Sequence, residues 1–471
     1  MPPFADLAVS QAATALSKLH VEDLIVPVLT QLVVIIAVAR LAGVVARRLG
    51  QPAVIGETVA GLLLGPSLFG AMFGDTFQAV FYPHLPGVDP DLARVTFQKV
   101  FEVLKELGLI FLLFLIGLEF EFGHLKGNGR SALAISLVGV VVPFGLGVGL
   151  ATGIYPILGA ATDGVPMNPD GKPIPLLHMA LFVGVAMSIT AIPVLGRMML
   201  EMGITRTRLG AIVITAAAVE DAIGWILLAT VAAIVSAAKA GAAGYDPWQT
   251  ATMIGLTVGF AAFVFLVLRP ILVWYFRRSM AANGGSLSLT ALAVLFVALF
   301  GCAIATGLIG IFAIFGAFLL GAALSDQEAL RIVAAARLRD VVTGFFLPIF
   351  FTYTGLRTDM GSLGGATLWL VAAAVLATAV LGKLGGCGIT ARLCGFSVRE
   401  SAAVGAMMNT RGLMELIVIN VGYNLGVIPQ SLFCMLVLMA VLTTMMTTPL
   451  LLLLRRGTEL EEPMRASGFA K

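Results

Sequence analysis

Long apolar runs follow one another along almost the whole chain, and they restrict its possible folds more than any other feature. A helix needs about 20 apolar residues to cross the hydrocarbon core of a bilayer. The runs lack the alternation of apolar and polar residues that a membrane β-barrel requires. The sequence therefore predicts an all-α polytopic membrane protein with about thirteen transmembrane spans, at roughly 23–45, 54–71, 99–122, 131–155, 176–200, 206–238, 248–276, 286–306, 308–325, 338–356, 364–391, 398–424 and 429–454.

Composition supports this class and argues against several others. The chain is 59% hydrophobic and 12% charged, whereas about 25% of the residues in a soluble globular protein are charged. A net charge of +3 without a basic cluster argues against a nucleic-acid partner. The four cysteines form no CxxC pair and the four histidines are scattered, so no zinc site or disulfide framework is indicated. We expect membrane lipid as a partner, and no nucleic acid, cofactor or enzymatic reaction.

The basic residues in the loops predict the orientation in the membrane. Lys and Arg side chains follow every odd-numbered span, and the other loops contain few of them. This pattern places the N-terminus outside and the C-terminus in the cytoplasm. It divides the chain into an N-terminal segment (1–22) without the basic start of a signal peptide, a transmembrane domain (23–454) and a short cytoplasmic tail (455–471).

Three motifs from the first half of the chain recur in the second half, in the same order. They pair spans 2, 3 and 5 with spans 9, 10 and 12, and the matching segments are 60–65 with 316–321, 117–125 with 355–363, and 183–188 with 404–409. The shift of seven spans is odd, so the second copy has to be inverted in the membrane. Inverted repeats are typical of secondary transporters. We predict repeats at about 23–238 and 286–454, joined by a linker helix at about 248–276.

Glu220, Asp221 and Lys383 are ionisable residues deep within the apolar spans, where charge is costly and usually functional. Glu220 and Asp221 are near the middle of span 6, and Lys383 is near the middle of span 11. Neighbours on a helix point about 100° apart, so one carboxylate can bind an ion while the other forms a salt bridge. A lysine at this depth needs a carboxylate partner, and Asp221 is the expected one. A purely structural ion pair is the alternative.

Two spans at matching positions of the repeats contain residues that interrupt helices. Span 5 contains Ser188-Ile189-Thr190-Ala191-Ile192-Pro193, and proline disfavours a helix at the residue before it. Span 12 contains Asn409-Thr410-Arg411-Gly412, with Glu415 one turn later. Paired interruptions are the best sequence indication of a transport site. A simple proline kink is the alternative for span 5.

The interruptions predict a site for a hard monovalent cation. Freed backbone carbonyls and the hydroxyls of Ser188 and Thr190 supply the oxygen ligands that such an ion prefers. Asp221 can compensate positive helix ends, and Arg411 or Lys383 can compensate negative ones. Asn409 either ligates the ion or bridges two helices.

The motifs resemble those of the monovalent cation:proton antiporter-2 family, which includes Kef-type potassium efflux proteins and plant cation/proton exchangers. The resemblance extends over about residues 25–450. Its most specific parts are 188–195, Glu220-Asp221, 310–318, 350–359 and 408–416. It implies exchange of Na⁺ or K⁺ for protons, without a cofactor, by a fold with two crossing broken helices.

The resemblance also implies roles for individual residues. It maps the ion- and proton-binding aspartate onto Asp221 and its lysine partner onto Lys383, and it implies a homodimer with a core domain that moves like an elevator. The chain differs from the family at Glu220, where relatives commonly have Asn, Asp or Gln, and this leaves the proton:cation stoichiometry open. The regulatory nucleotide-binding domain of Kef-type proteins is not expected, because only the short tail follows span 13.

Other functions fit parts of this pattern. A cation channel or a symporter is the alternative within transport, although a channel does not need a titratable carboxylate beside a broken helix. An intramembrane enzyme would need a nucleophile and a base, which only Ser188 with Lys383 could supply. A non-transporting membrane sensor with the same fold is the third alternative.

Overall fold

The computed structural model describes residues 20–51, 53–118, 129–160, 164–205, 207–240, 247–310 and 312–467. Within these ranges the chain is helical apart from its connections, and the only β-type pairing is one isolated bridge between Met167 and Pro173. Seven helices in this part of the chain are long and apolar enough to cross a membrane, and three shorter apolar helices accompany them. The predicted all-α membrane fold is confirmed.

The helices of the first half end with the linker helix. In chain order they are α1 Val21–Arg48, α2 Ala53–Leu64, α3 Gly74–Phe81, α4 Pro90–Leu118, α5 Gly129–Leu158, α6 Leu176–Ser188, α7 Ile192–Glu201, α8 Arg208–Ala240, α9 Pro247–Phe263 and α10 Arg269–Ala282. A π-turn, Pro66–Gly70, follows α2, and a second π-turn, Val264–Leu268, joins α9 to α10 in the predicted linker.

The helices of the second half include the other interrupted span. They are α11 Leu289–Ile309, α12 Ala313–Leu324, α13 Glu328–Val341, α14 Leu347–Leu356, α15 Ala366–Val380, α16 Gly386–Leu393, α17 Val398–Met408, α18 Leu413–Asn424, α19 Gln430–Leu454 and α20 Glu461–Ala466. The π-turns Val342–Phe346 and Leu381–Gly385 join α13 to α14 and α15 to α16.

Several predicted boundaries need correction. Span 3 belongs to a helix that begins at Pro90, and span 10 belongs to one that begins at Glu328. Their first turns contain charged residues, which a search for apolar runs excludes, although side chains such as Phe97 in the early part of α4 are buried. The expected break at Thr306-Gly307 lies a few residues later, at Gly310, whose φ of 96° favours glycine.

Closely packed glycines show how the inverted repeats fit together. A Cβ at Gly355 on α14 would lie 2.2 Å from the carbonyl carbon of Gly61 on α2. A Cβ at Gly117 on α4 would lie 2.3 Å from the carbonyl oxygen of Phe318 on α12. Since the repeat pairs span 2 with span 9 and span 3 with span 10, these two crossings are equivalent positions. The recurring motifs therefore mark close helix contacts.

Helix contacts divide the molecule into two bundles. Helices α1, α2, α4 and α11–α14 pack together, and we call them the scaffold bundle. Helices α5–α8 and α15–α19 also pack together, and we call them the core bundle. Both interrupted spans lie in the core bundle. We call the end of the molecule that carries α3 the α3 face.

The segment after α19 packs on the core bundle. The Leu460 and Met464 side chains are buried in the same apolar cluster as residues of α7 and α8, and the Ser467 hydroxyl donates to the carbonyl oxygen of Met202 at 3.0 Å. Most of the predicted N-terminal segment lies outside the described residues, and the predicted domain limits stay predictions.

The contact between Gly355 and Gly61 predicts a measurable stability difference. Gly355→Ala forces backbone apart, and overpacking of this kind costs about 1–3 kcal/mol. The matched control is Gly145→Ala on an exposed part of α5, where a Cβ meets nothing within 4 Å. Thermal unfolding of the detergent-purified variants should give a lower Tm for Gly355→Ala only. Equal Tm values would contradict the close crossing.

Candidate functional site

The first interruption frees backbone carbonyls in the middle of the core bundle. Helix α6 ends at Ser188 and Ile189 is extended, so the last carbonyls of α6 lack helical partners. The buried Arg411 guanidinium donates to the carbonyl oxygens of Ala186 at 2.9 Å and Met187 at 2.8 Å. The Arg411 guanidinium therefore lies at the negative end of α6, where it both satisfies the carbonyls and compensates the helix dipole.

The second interruption is held by the neighbouring helix α19. The Arg411 backbone N–H donates to the Thr444 hydroxyl at 2.9 Å, and that hydroxyl is also bonded to the Arg411 carbonyl oxygen. The Thr410 hydroxyl donates to that of Thr447 at 3.2 Å. The residues predicted from the sequence do not include these two α19 threonines. Their spacing of three residues, which places both on one face of a helix, is the signal that could have identified them.

The two interrupted spans cross and bond directly to each other. The backbone N–H of Ala191 donates to the carbonyl oxygen of Thr410 at 3.1 Å. The Thr190 hydroxyl lies 2.9 Å from the carbonyl oxygen of Met408, the last residue of α17. Irregular backbone at membrane depth is tolerated only where protein or a water-filled cavity surrounds it. Here the two irregular segments satisfy part of each other's hydrogen bonding.

An ion pair lies at this crossing. The Lys383 ammonium donates to Glu220 Oε2 at 2.5 Å and to the Thr190 hydroxyl at 2.9 Å. The Thr190 hydroxyl lies 2.6 Å from the same carboxylate oxygen. All three side chains are fully buried. Thr190 has one hydroxyl proton, so Glu220 and the Met408 carbonyl share or compete for it.

Lys383 was expected to pair with Asp221, but in the structure its partner is Glu220. This corrects the prediction. The cause is the direction of the two carboxylates on α8, which differ by about 100°. Glu220 points toward α5, where a Cβ on Gly139 would lie 1.9 Å from Glu220 Oε1. The absent side chain of Gly139 therefore provides the space for Glu220. Lys383 lies in a π-turn, a feature that often occurs at functional sites.

Asp221 is left without such a partner. Its side chain is 2% exposed, and in the described part of the chain its buried Oδ1 atom accepts no hydrogen bond. The side chain of Asn409, at the second interruption, is also buried, and neither its Oδ1 nor its Nδ2 atom forms a hydrogen bond with a described residue. Unpaired buried polar atoms are rare in native proteins. The described site therefore has ligand capacity that protein contacts do not use.

The remaining predicted site residues are placed as follows. The Ser188 hydroxyl donates to the carbonyl oxygen of Val185 at 2.9 Å, within its own helix. Pro193 is the second residue of α7, a position where its missing N–H costs nothing. Glu415 Oε1 lies 3.0 Å from the Arg411 guanidinium, and both side chains are buried. Arg411 thus binds both helix-end carbonyls and a carboxylate.

Comparison with known proteins identifies the family. The model of the family described as "Sodium/hydrogen exchanger, transmembrane" matches residues 33–453. The chain belongs to this family. It is 38% identical over 423 residues to the Na⁺/H⁺ antiporter NhaS4 of Synechocystis sp., a match that covers 90% of this chain and 96% of NhaS4. The family consists of transporters, which fits the expectation that the chain is not an enzyme.

Longer relatives match over part of their length. Cation/H⁺ antiporter 17 of Arabidopsis thaliana is 34% identical over 90% of this chain and 47% of that protein. K⁺/H⁺ antiporter 1 of Saccharomyces cerevisiae is 31% identical over 90% of this chain and 46% of that protein. The chain therefore spans about half the length of these two relatives.

A solved structure shows the same fold. The sodium proton antiporter MjNhaP1 from Methanocaldococcus jannaschii superimposes with a TM-score of 0.55 at 15% identity, covering 95% of this chain and 100% of that one. The predicted antiporter-like fold is thereby confirmed. Among the residues described here, no cluster of three or more His, Cys, Asp or Glu side chains could hold a resident metal ion.

The Glu220–Lys383 pair predicts a specific pattern of stability changes. Lys383→Met leaves the Glu220 carboxylate buried without its counter-charge, a loss that costs about 3–5 kcal/mol. Adding Glu220→Gln removes that charge and should restore much of the lost stability. Thermal unfolding in detergent at neutral pH measures both effects.

The matched control for this prediction is Lys383→Met combined with Asp221→Asn. This control should not restore stability, because Asp221 is not the partner of Lys383 in the structure. Better recovery with Asp221→Asn than with Glu220→Gln would contradict the observed pairing.

Proposed function

We propose that this protein exchanges Na⁺ or K⁺ for protons across a membrane by alternating access, with Asp221 as the shared binding site. The observation that supports the proposal most is the difference between the two adjacent carboxylates. Each of the two carboxylates has one buried oxygen without a hydrogen bond in the described structure. Glu220 nevertheless forms a salt bridge with Lys383, whereas no ion pair of Asp221 occurs among the described residues. A carboxylate at this depth needs a compensating charge or a proton. A monovalent cation and a proton both meet that need.

Competition at one carboxylate couples the two ions. Asp221 carries one negative charge, so a bound cation and a bound proton exclude each other. Movement of the unloaded, charged carboxylate through an apolar region is costly, and this makes the exchange obligatory. Asn409 Oδ1 and the hydroxyls of Thr190 and Ser188 are the further oxygen ligands that we propose for the cation. The Ser188 hydroxyl keeps its acceptor capacity while it donates to Val185.

The fate of the Lys383 proton decides the stoichiometry. If the Glu220–Lys383 pair persists through the cycle, one proton exchanges for one cation and no net charge moves. If Lys383 releases its proton, a second proton joins the exchange and transport generates a membrane potential. Relatives are named for Na⁺ and for K⁺, and the proposal accordingly covers both ions.

The orientation belongs to the same proposal. The basic residues that follow odd-numbered spans support a cytoplasmic C-terminus and an N-terminus outside, so that the α3 face is extracytoplasmic. The homodimer that the family resemblance implies, and the surrounding lipid, stay predictions.

Reconstitution into liposomes with an imposed pH gradient tests the function. Na⁺, K⁺, Li⁺ or choline is added while a trapped dye reports the internal pH and a second dye reports the membrane potential. We expect Na⁺ or K⁺ to collapse the gradient with the wild-type protein, and Asp221→Asn to abolish this effect. Asp75→Asn is the control, because it makes the same substitution on the exposed surface of α3.

Each other outcome selects an alternative. Cation-dependent proton movement that persists in Asp221→Asn places the site elsewhere. Cation flux without proton movement indicates a channel, and co-directional movement of cation and proton indicates a symporter. Absence of any flux with the wild-type protein favours a sensor.

A further inference from the structure

A cavity of about 750 Å³ separates the two bundles at the α3 face. The scaffold contributes Phe97, Glu102 and Tyr353 to its walls, and the core contributes Tyr423 and Gln430. The residues that line it do not include Asp221. This cavity, as described, therefore does not reach the proposed ion site.

Arg357 lies at the rim of this cavity and connects the two bundles. It directly follows the last residue of α14, and its guanidinium carbon lies 5.3 Å from the ring centre of Tyr353 on the same scaffold helix. The same carbon lies 4.7 Å from the ring centre of Tyr423 on core helix α18. The guanidinium also donates to Asn424 Oδ1 at 2.9 Å. The Arg357 side chain thus contacts both bundles.

The backbone of Arg357 takes part in the same connection. Gln430 Nε2 on core helix α19 donates to the Arg357 carbonyl oxygen at 2.6 Å, and the Tyr423 hydroxyl bonds to Gln430 Oε1. The following loop is fixed to the scaffold, because the Met360 backbone N–H donates to the Ser67 hydroxyl at 2.7 Å. The contact therefore joins a loop held by the scaffold to two helices of the core.

Helix electrostatics explain why a positively charged side chain lies at the position of Arg357. Helix α14 ends at Leu356 and helix α18 ends at Asn424, so two partially negative C-terminal ends come together. Arg357 lies between them and compensates both. Contacts of this kind at a partly exposed arginine are individually weak, so each of them costs little free energy to break.

We propose that Arg357, Tyr423, Asn424 and Gln430 form a releasable clasp that opens in every transport cycle. We call it the Arg357 clasp. The proposal rests on exchange by alternating access: if the core bundle carries Asp221 past the scaffold, contacts that join the two bundles at this face have to change.

Reversible crosslinking tests the clasp. In a chain with Cys302, Cys387, Cys394 and Cys434 replaced by alanine, Arg357→Cys and Asn424→Cys are joined by reducible bifunctional thiol reagents in proteoliposomes. We expect the reduced protein to exchange cations for protons, the crosslinked protein to lose exchange, and reduction to restore it.

The matched control is a crosslink at the same cavity within one bundle. The Arg94 guanidinium carbon lies 4.6 Å from the ring centre of Tyr82. Arg94 is in the second turn of scaffold helix α4, and Tyr82 directly follows α3, which packs on scaffold helix α1. Tyr82→Cys with Arg94→Cys should keep exchange after crosslinking, because this pair does not join the two bundles. Loss of exchange in this control as well would mean that the reagent itself blocks transport, and would overturn the assignment to Arg357.

The remaining outcomes are also decisive. Unchanged exchange in the crosslinked Arg357→Cys/Asn424→Cys protein shows that the clasp does not open, and failure of short reagents to crosslink the pair contradicts the contact. If the cysteine-free parent exchanges cations for protons but the reduced Arg357→Cys/Asn424→Cys protein does not, the substituted side chains are required for transport itself. This result contradicts a contact that only joins the two bundles. If the parent itself shows no exchange while the wild-type protein does, the proposed function stands and the same crosslink is made in the wild-type background. Loss of exchange that reduction reverses then supports the clasp, and unchanged exchange overturns it. No exchange in either protein overturns the proposed function and the clasp together.

Discussion

Two helices are interrupted in the centre of an apolar bundle, where no bulk water is available to satisfy the freed backbone groups. The rest of the core bundle is built around this constraint. Arg411 satisfies two carbonyls at the end of α6, Thr444 bonds to the backbone of the second interruption, and the two interruptions bond to each other through Ala191 and Thr410. These partners make irregular backbone possible at membrane depth.

The neighbouring carboxylates then divide two tasks between them. Glu220 joins Lys383 and Thr190 in a fully buried network that connects α8, the first interruption and the π-turn before α16. Asp221, one residue later on α8, faces a different direction. Each carboxylate keeps one buried oxygen without a hydrogen bond in the described structure, but only Glu220 has an ion-pair partner there. A charge that is already paired has little to gain from a transported ion. The unpaired neighbour is therefore the better candidate for a group that alternates between a cation and a proton.

The sequence predicts the parts of this arrangement that depend on local pattern. Apolar runs predict the spans, and the recurring glycine motifs predict the inverted repeat. The motifs recur because the contact of Gly355 with Gly61 and the contact of Gly117 with α12 require the same close approach of two helix backbones. The partner of Lys383 could not be predicted, since it depends on the rotation of α8 and on the space that Gly139 leaves for Glu220. The roles of Thr444 and Thr447 depend in the same way on packing between distant spans. The charged first turns of α4 and α13 escaped the search for apolar runs although they continue the spans.

Equilibrium binding of radioactive sodium or rubidium to the purified protein, measured across a range of pH, tests the central claim most directly. If Asp221 binds the cation and the proton in turn, the apparent Kd rises by about tenfold for each unit of pH below the pKa of the site, because one proton competes with one cation. Asp221→Asn should abolish the binding, whereas Asp75→Asn should leave it unchanged. Binding that does not depend on pH, or that survives Asp221→Asn, would contradict the account.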